Sequence, residues 1–254
     1  MKPRLSVILI TKNEASRLAA TLEAVAFADE IIVLDSGSTD ATVEVARRYT
    51  EHVHVSADWP GFGLQKNRAL DLATGDWVLS LDADERVTPD LAAEILAAIA
   101  APEFDMYELP RLSSFCGRSM RHSGWWPDHV PRLFRRGSAR FSDDLVHERL
   151  VFQGASGRLR APLLHESFRT LDELLAKVNH YSSAGAEQAL ARGKHGSLGK
   201  AVGHGLWAFL RTYLLRAGFL DGREGFMLAV SSAEAVYYRY AKLMYLREQG
   251  SDRR

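Results

Sequence analysis

Alternation governs the first hundred residues and leaves few folds open. Short strand-like runs, Leu5–Ile10, Ile31–Leu34, His52–Ser56 and Trp77–Leu81, are separated by segments whose apolar residues recur at helical spacing. Leu18, Leu22 and Val25 mark one such segment, and Val43, Ala46 and Tyr49 mark another. Leu64–Ala73 reads as a third, ended by Thr74-Gly75. Thr88 caps a fourth, with Pro89 at its first position and Leu91, Ile95 and Ile99 along one face. A strand that is apolar throughout is buried on both faces, and parallel neighbours need a crossover, which here is a helix. The expected fold is α/β, a Rossmann-like open, mostly parallel sheet with flanking helices.

After this the character changes. Residues 105–165 carry short strand signals, many arginines and Trp125-Trp126, as a mixed half would. From Thr170 the chain turns helical: Thr170 and Glu173 have capping-box spacing, a second helix is expected over Leu198–Ala217, and a third from Asp221 to about Arg247. This predicts a catalytic domain over 1–175 and a C-terminal helical extension over 176–254. Charge divides the same way. Residues 1–175 hold 20 Lys and Arg against 26 Asp and Glu, a net −6, and residues 176–254 hold 12 against 6, a net +6. A basic tail meets something anionic or simply faces solvent. Cys116 is the single cysteine, so no intrachain disulfide can form, which fits a reducing compartment. Leu5–Ile10 is too short for a signal peptide core and is followed by Lys12-Asn13-Glu14, and no apolar run reaches the length of a spanning helix.

In an open α/β sheet, ligands bind beyond the carboxyl ends of the strands. Three polar segments are expected there: Thr11-Lys12-Asn13-Glu14, Asp35-Ser36-Gly37-Ser38-Thr39-Asp40 and Asp82-Ala83-Asp84-Glu85. The first lacks both the G-x-G-x-x-G of a dinucleotide site and the G-x-x-x-x-G-K-[ST] of a P-loop, and Gly61-Phe62-Gly63 reads as a turn. Asp82 and Asp84 stand at i and i+2, so a continued extended strand would point both carboxylates to one side. Hard oxygen ligands of this kind suit Mg²⁺ or Mn²⁺ with a diphosphate, while a solvated turn is the plainer alternative.

Taken together, Leu5–Glu14, Leu34–Asp40, Gln65-Lys66-Asn67 and Ala73–Asp76 through Asp82–Asp84 resemble the family 2 glycosyltransferases of GT-A fold, over about residues 4–100. The resemblance implies a nucleoside pocket lined by Thr11, Glu14 and Asp35, with Asn13 and Ser38 in the same donor-binding loops. It implies Asp82 and Asp84 beside ribose, diphosphate and metal, Asp84 as the more direct ligand. Lys66 stands where the family commonly has arginine, which keeps the charge but loses bidentate geometry. Met120–Asp128, Asp143–Glu148 and Leu215–Gly222 extend the resemblance to the bacterial lipopolysaccharide core biosynthesis glucosyltransferases. These imply transfer of glucose, from UDP-glucose, to a heptose of the inner core. Transfer to a lipid-linked phosphate or another glycan, and a nucleotide-sugar-binding module without turnover, are the competing readings.

Such chemistry needs a base for the acceptor hydroxyl and a cation for the departing diphosphate. Glu148 is the first choice of base and Asp144 the second, against salt bridging to nearby arginines. His165, following the apolar run Ala161–Leu164, is a candidate third metal ligand or an ordinary partly buried histidine. Trp125 and Trp126 could stack on a sugar or belong to a core, and Arg121 and Arg132 could meet acceptor phosphates or solvent. Leu206–Leu210 and Tyr213–Leu215, interrupted by Arg211, fit either an interfacial helix on anionic lipid or packing against protein, including a second subunit. Peripheral attachment to the cytoplasmic side of the inner membrane is the expectation, and nucleic acid is not an expected partner.

Overall fold

The computed structural model describes residues 2–143 and 149–251. The chain forms two compact units, one of Met1–Arg111 with Asp128–His165, the other of Leu112–Pro127 with Glu166–Arg254.

The first unit begins with the expected alternation: β1 (Leu5–Thr11), α1 (Ala15–Glu23), β2 (Glu30–Asp35), α2 (Thr42–Ala46), β3 (Val53–Val55), α3 (Phe62–Asp71) and β4 (Trp77–Leu81). It continues through β5 (Glu85–Val87), α4 (Pro89–Ala100), β6 (Met106–Phe115), β7 (Arg118–Ser119), β8 (Asp128–Arg135), β9 (Ala139–Phe141), β10 (Leu150–Phe152), β11 (Gly157–Arg158) and β12 (Leu163–Phe168), of which β7 and the far ends of β6 and β12 belong to the second unit. The main sheet has the order β3-β2-β1-β4-β8-β6-β12-β5. Its first four strands are parallel, with Val7 opposite Ile31 on one side and Leu79 on the other. β8 runs antiparallel to both β4 and β6, with Val78 opposite Phe134 and Tyr107 opposite Leu133, and β12 runs antiparallel to β5. This is a mixed α/β architecture with the expected parallel half.

Periodicity explains the two faces. Leu5, Val7 and Leu9 of β1 bury one way, onto Leu18 and Leu22 of α1 and Leu91 and Ile95 of α4. Ile8, with Ile32 of β2, packs the other way, onto Ala69 and Leu70 of α3 and Phe134 of β8. Thr88 caps α4 as expected, its hydroxyl accepting from Leu91 N–H at 3.2 Å behind Pro89.

In the second unit α5 (Leu171–Ala191), α6 (Leu198–Leu210) and α7 (Gly222–Ser251) form a helical group, α7 packing on both others. Thr170 caps α5 through Glu173 N–H at 3.2 Å, and the Glu173 carboxylate reaches back past the cap to accept from Arg169 N–H at 2.8 Å. The helix expected over Leu198–Ala217 is shorter. After Leu210 it widens into a π turn (Arg211–Leu215), Ala217 takes a left-handed conformation (φ 52°) and Gly218–Asp221 form a 3₁₀ turn. Close approach enforces this ending. A Cβ on Gly218 would stand 2.7 Å from the Thr212 carbonyl oxygen, and one on Gly225 would collide with the Gly218 carbonyl. No helix among the described residues is long and apolar enough to cross a membrane.

Candidate active site

The carboxyl ends of β1 and β4 open into a cleft of about 520 Å³. Thr11, Lys12 and Glu14 line it from the first strand end, and Asp82 and Asp84 from the fourth. His165 of β12 completes the charged part of the lining, while Trp59 and Phe62 form an aromatic wall.

The acidic segment does not continue β4. Glu85 N–H donates to the Asp82 carbonyl at 3.0 Å, so Asp82–Glu85 is a turn, and this turn rather than strand pleat brings both aspartates to the cleft. Behind it sits Glu85, 0% exposed, placed by the register of β5 opposite His165. Its carboxylate accepts from Arg132 at 2.7 Å and from the Asp82 N–H at 3.1 Å, with Arg111 3.7 Å away. A buried carboxylate requires such partners, because charge is costly away from water.

Asp82 is neutralised on both oxygens, by Lys66 Nζ at 3.0 Å and by Arg132. Burial opposes its ionisation, but the Arg132 and Lys66 charges outweigh that and hold its carboxyl below the ordinary range. Arg132 is shifted the opposite way: burial lowers it, and Asp82 and Glu85 more than restore it. Because the folded-state value of Asp82 is depressed, its ionised form stabilises the fold at any pH above roughly 3.9. That contribution is lost only as pH falls through the lower folded value. The buried Arg132 Nε–H lacks a partner among the described residues and wants an acceptor.

Asp84 is set differently. Its Oδ2 lies 3.5 Å from His165 Nε2 and 3.7 Å from an Arg17 nitrogen, and the side chain keeps 22% exposure to the cleft. Among the described residues no group of three or more His, Cys, Asp and Glu converges on one point. Mg²⁺ and Mn²⁺ are commonly held by one or two protein groups with substrate phosphates and water supplying the rest. Asp84 and His165 fit that pattern, and Asp82, already engaged by two cations, fits it less well.

The donor-loop residues divide by role. Thr11 and Glu14 line the cleft. Asp35 is 1% exposed and accepts from Gly37 N–H at 3.0 Å, Ser38 N–H at 2.8 Å, the Ser38 hydroxyl and the Thr11 hydroxyl at 3.2 Å. Asn13, in the left-handed region at φ 57°, accepts from Thr39 N–H at 2.8 Å and donates its own N–H to Ser38 Oγ at 2.8 Å. These three fix the loops around the cleft.

The motif Gln65-Lys66-Asn67 ties the cleft to a second segment. While Lys66 reaches Asp82, the Asn67 amide both accepts from Phe141 N–H and donates to Phe141 C=O, each at 2.9 Å. Phe141 ends β9 of the β9–β10 hairpin, whose root closes through Ser142 N–H to Arg149 C=O at 2.8 Å. Glu148 and Asp144, the candidate bases, lie outside the described residues, between these two root positions.

Of the acceptor candidates, Arg132 lies inside the carboxylate network just described. Trp125, Trp126 and Arg121 belong to the second unit. Trp125 packs edge-on to Phe115 (6.4 Å between ring centres) and beside Phe168 (6.2 Å), and the Arg121 guanidinium lies 5.8 Å from the Trp126 ring centre. Their loop hangs on Asp221, 2% exposed, which accepts from Arg121 N–H (3.1 Å), His122 N–H (3.0 Å) and the Ser123 hydroxyl (3.0 Å), with His122 Nδ1 at 3.1 Å. Two of the sequence segments singled out above thus meet at one carboxylate.

The sequence reading missed Arg17, Glu85, Trp59 and Phe62. Glu85 was signalled by its place directly after the acidic pair, and the aromatic pair by Trp59-Pro60-Gly61-Phe62 preceding a helix. Nothing in the sequence marks Arg17.

Residues 6–161 match the family model for glycosyl transferase family 2. The chain belongs to this family and is a transferase. It is 30% identical over 253 residues to an uncharacterized glycosyltransferase of Rickettsia prowazekii, covering 94% of this chain and 86% of the relative. It is 31% identical over 263 residues to the lipopolysaccharide core biosynthesis glycosyltransferase LpsC of Rhizobium meliloti, covering 93% of each. Glucosyl-3-phosphoglycerate synthase from Mycobacterium tuberculosis, solved with Mn²⁺ and UDP-glucose, aligns at 25% identity over 44% of each chain with a TM-score of 0.38.

Proposed function

We propose that this chain is an inverting, metal-dependent glycosyltransferase that moves glucose from UDP-glucose to a heptose of the lipopolysaccharide inner core. The observation that carries the reading is the strand-end pair Asp82 and Asp84, split into one carboxylate neutralised by Lys66 and Arg132 and one facing the cleft beside His165. Family membership supplies the reaction class, and the near full-length similarity to LpsC supports the acceptor. Thr11 and Glu14 are the nucleoside-facing residues, with Asp35, Asn13 and Ser38 holding their loops. Asp84 and His165 would hold the divalent cation, which when bound stabilises negative charge on the departing diphosphate. Lys66 adds positive charge on the same side. Glu148 takes the acceptor proton, with Asp144 as second choice.

The acceptor is lipid-anchored in this reading, so attachment to the inner membrane's cytoplasmic face follows. Its support is the apolar stripe of α6 and the turns after it: Leu198, Val202, Leu206, Trp207, Leu214 and Leu215 are each more than half exposed, with Arg211 and Arg216 among them. Exposed apolar surface of this extent beside basic residues suits an anionic interface.

A thermal-shift panel of nucleotide sugars with and without Mn²⁺ tests the donor assignment, because a ligand that binds only the folded state stabilises it by mass action. UDP-glucose with Mn²⁺ should give the largest shift. Equal shifts for all sugars, or no effect of metal, would sink it.

A further inference from the structure

We infer a second anion site, for a phosphate monoester or diphosphate group, in the helical unit between α5 and α7. It does not depend on the transfer reading above. A cavity of about 150 Å³ lies there, with Arg192, Lys194 and Arg239 around it, Gln188 beside them, and Tyr240 and Leu243 as its apolar wall. No aspartate or glutamate is among the lining residues described. None of the three cations makes an ion pair with an acidic side chain among the described residues, whereas Arg17, Arg111, Arg132, Arg140 and Arg158 all do. A cavity of this size has room for a phosphoryl group.

Ordinary helix capping does not account for the cluster. Cations do gather at helix C-termini, and Arg192 and Lys194 follow the last turn of α5. The terminal carbonyls there are already satisfied by backbone, however: Arg192, Gly193 and Lys194 N–H groups donate to Gln188, Leu190 and Ala189 C=O at 3.2, 2.8 and 2.9 Å. Arg239 comes from the interior of another helix, where capping has no bearing. Two glycines shape the place. A Cβ on Gly185 would press on Arg239 Cδ at 3.0 Å, and one on Gly196 would strike the Tyr240 carbonyl oxygen at 2.4 Å, so the loop after α5 lies directly on α7. Three cations lining one cavity, with no acidic partner among the described residues, favour a dianionic ligand, and a phosphate monoester carries about −1.5 to −2 at neutral pH. Such a group occurs on lipid headgroups and on phosphorylated glycans alike.

Calorimetry with inorganic phosphate tests the site on the full chain. Wild type should bind, and the triple variant Arg192→Gln/Lys194→Gln/Arg239→Gln should lose binding, each cation contributing roughly tenfold or more. Arg223→Gln, an exposed cation that does not line the cavity, should bind phosphate as wild type does. Retained binding in the triple variant, loss in Arg223→Gln instead, or no binding to wild type would overturn the inference. If the triple variant does not fold by circular dichroism, Lys194→Gln alone, at an exposed position, should weaken phosphate roughly tenfold, and an unchanged affinity would overturn it equally. Co-sedimentation with phosphatidic acid and phosphatidylcholine vesicles then separates the sources. Triple-variant loss of binding to phosphatidic acid alone identifies a lipid headgroup. Unchanged vesicle binding with loss of soluble phosphate identifies a phosphate on a soluble or glycan ligand.

Discussion

Two buried carboxylates, Glu85 in the first unit and Asp221 in the second, are satisfied in opposite ways. Glu85 is held mainly by guanidinium groups, Arg132 at 2.7 Å and Arg111 at 3.7 Å. Asp221 is held by main-chain N–H groups and a hydroxyl from residues 121–123, with one imidazole beside it. The first arrangement spends side-chain charge to fix side-chain charge, so Asp82, Lys66 and Arg132 stand rigidly at a cleft. The second uses charge to shape backbone, fixing the loop that carries Trp125 and Trp126. Preorganised cations serve a site that must receive a polyanion without rearranging. A pinned loop serves a surface that presents rings and apolar side chains.

Asp84 lies outside both arrangements, and removing it should have the largest effect. Asp84→Ala leaves Glu85 and Asp82 with their partners, so the fold should persist while transfer falls by roughly 10³-fold, as for loss of a principal electrostatic stabiliser. Transfer assays with EDTA and Mn²⁺ arms, beside a melting curve, check both halves. A variant that retains activity in EDTA would remove the metal from the mechanism and leave Asp84 as a partner of Arg17 and His165 only. Glu148→Gln preserves shape and cannot take a proton, so kcat should fall roughly 10²–10⁴-fold with UDP affinity unchanged. Should Asp144→Asn show that loss and Glu148→Gln not, the base moves to the second candidate.

Stability separates the two buried carboxylates directly. Glu85→Gln removes the charge that Arg132 meets at 2.7 Å in a fully buried position. Arg132 keeps Asp82 and Arg111 keeps Asp128, so the loss should lie near the lower end of about 3–5 kcal/mol. Asp221→Asn retains a carbonyl acceptor for neutral donors and should cost less, on the order of 1.5–3 kcal/mol. Urea unfolding of both variants measures the difference. Equal losses would mean that partner charge does not distinguish the units.

How far the sequence could be read follows from range. β1, β2, β4 and α4 were legible because strand runs and helix faces are local patterns, as were both threonine caps. The donor cleft was legible as strand ends, since an open parallel sheet places them together. Glu85 escaped because its importance lies in Arg111 and Arg132, contributed by β6 and β8, and no local pattern pairs residues that far apart. Arg132, which from sequence could meet acceptor phosphates or solvent, pairs with Asp82 and Glu85, contacts that no local pattern announces. The end of α6 escaped because Gly218 and Gly225 act through close approach to backbone several residues away, which a run of apolar residues from Leu206 to Leu215 conceals.

The smallest effect provides the control for the comparison. Thr88 and Thr170 cap helices in different units with the same hydrogen bond, hydroxyl oxygen to N–H at 3.2 Å. Each cap removed by Thr→Ala should cost about 1 kcal/mol. Thr88 also donates to the Pro162 carbonyl at 3.2 Å, so its loss should be the greater by a further ~0.5–1 kcal/mol. Thr170 has the reciprocal Glu173 contact to Arg169 N–H, which survives the substitution and limits the damage. Costs in urea unfolding that differ by no more than this extra bond would show that the units respond alike to a neutral backbone cap. The contrast between Glu85 and Asp221 would then belong to the charge of their partners and not to a softer helical unit. A Thr170→Ala cost of more than ~2 kcal/mol would reverse that attribution, because a cap in the upper range would mean that the helical unit depends on its helix ends far more than the sheet unit does.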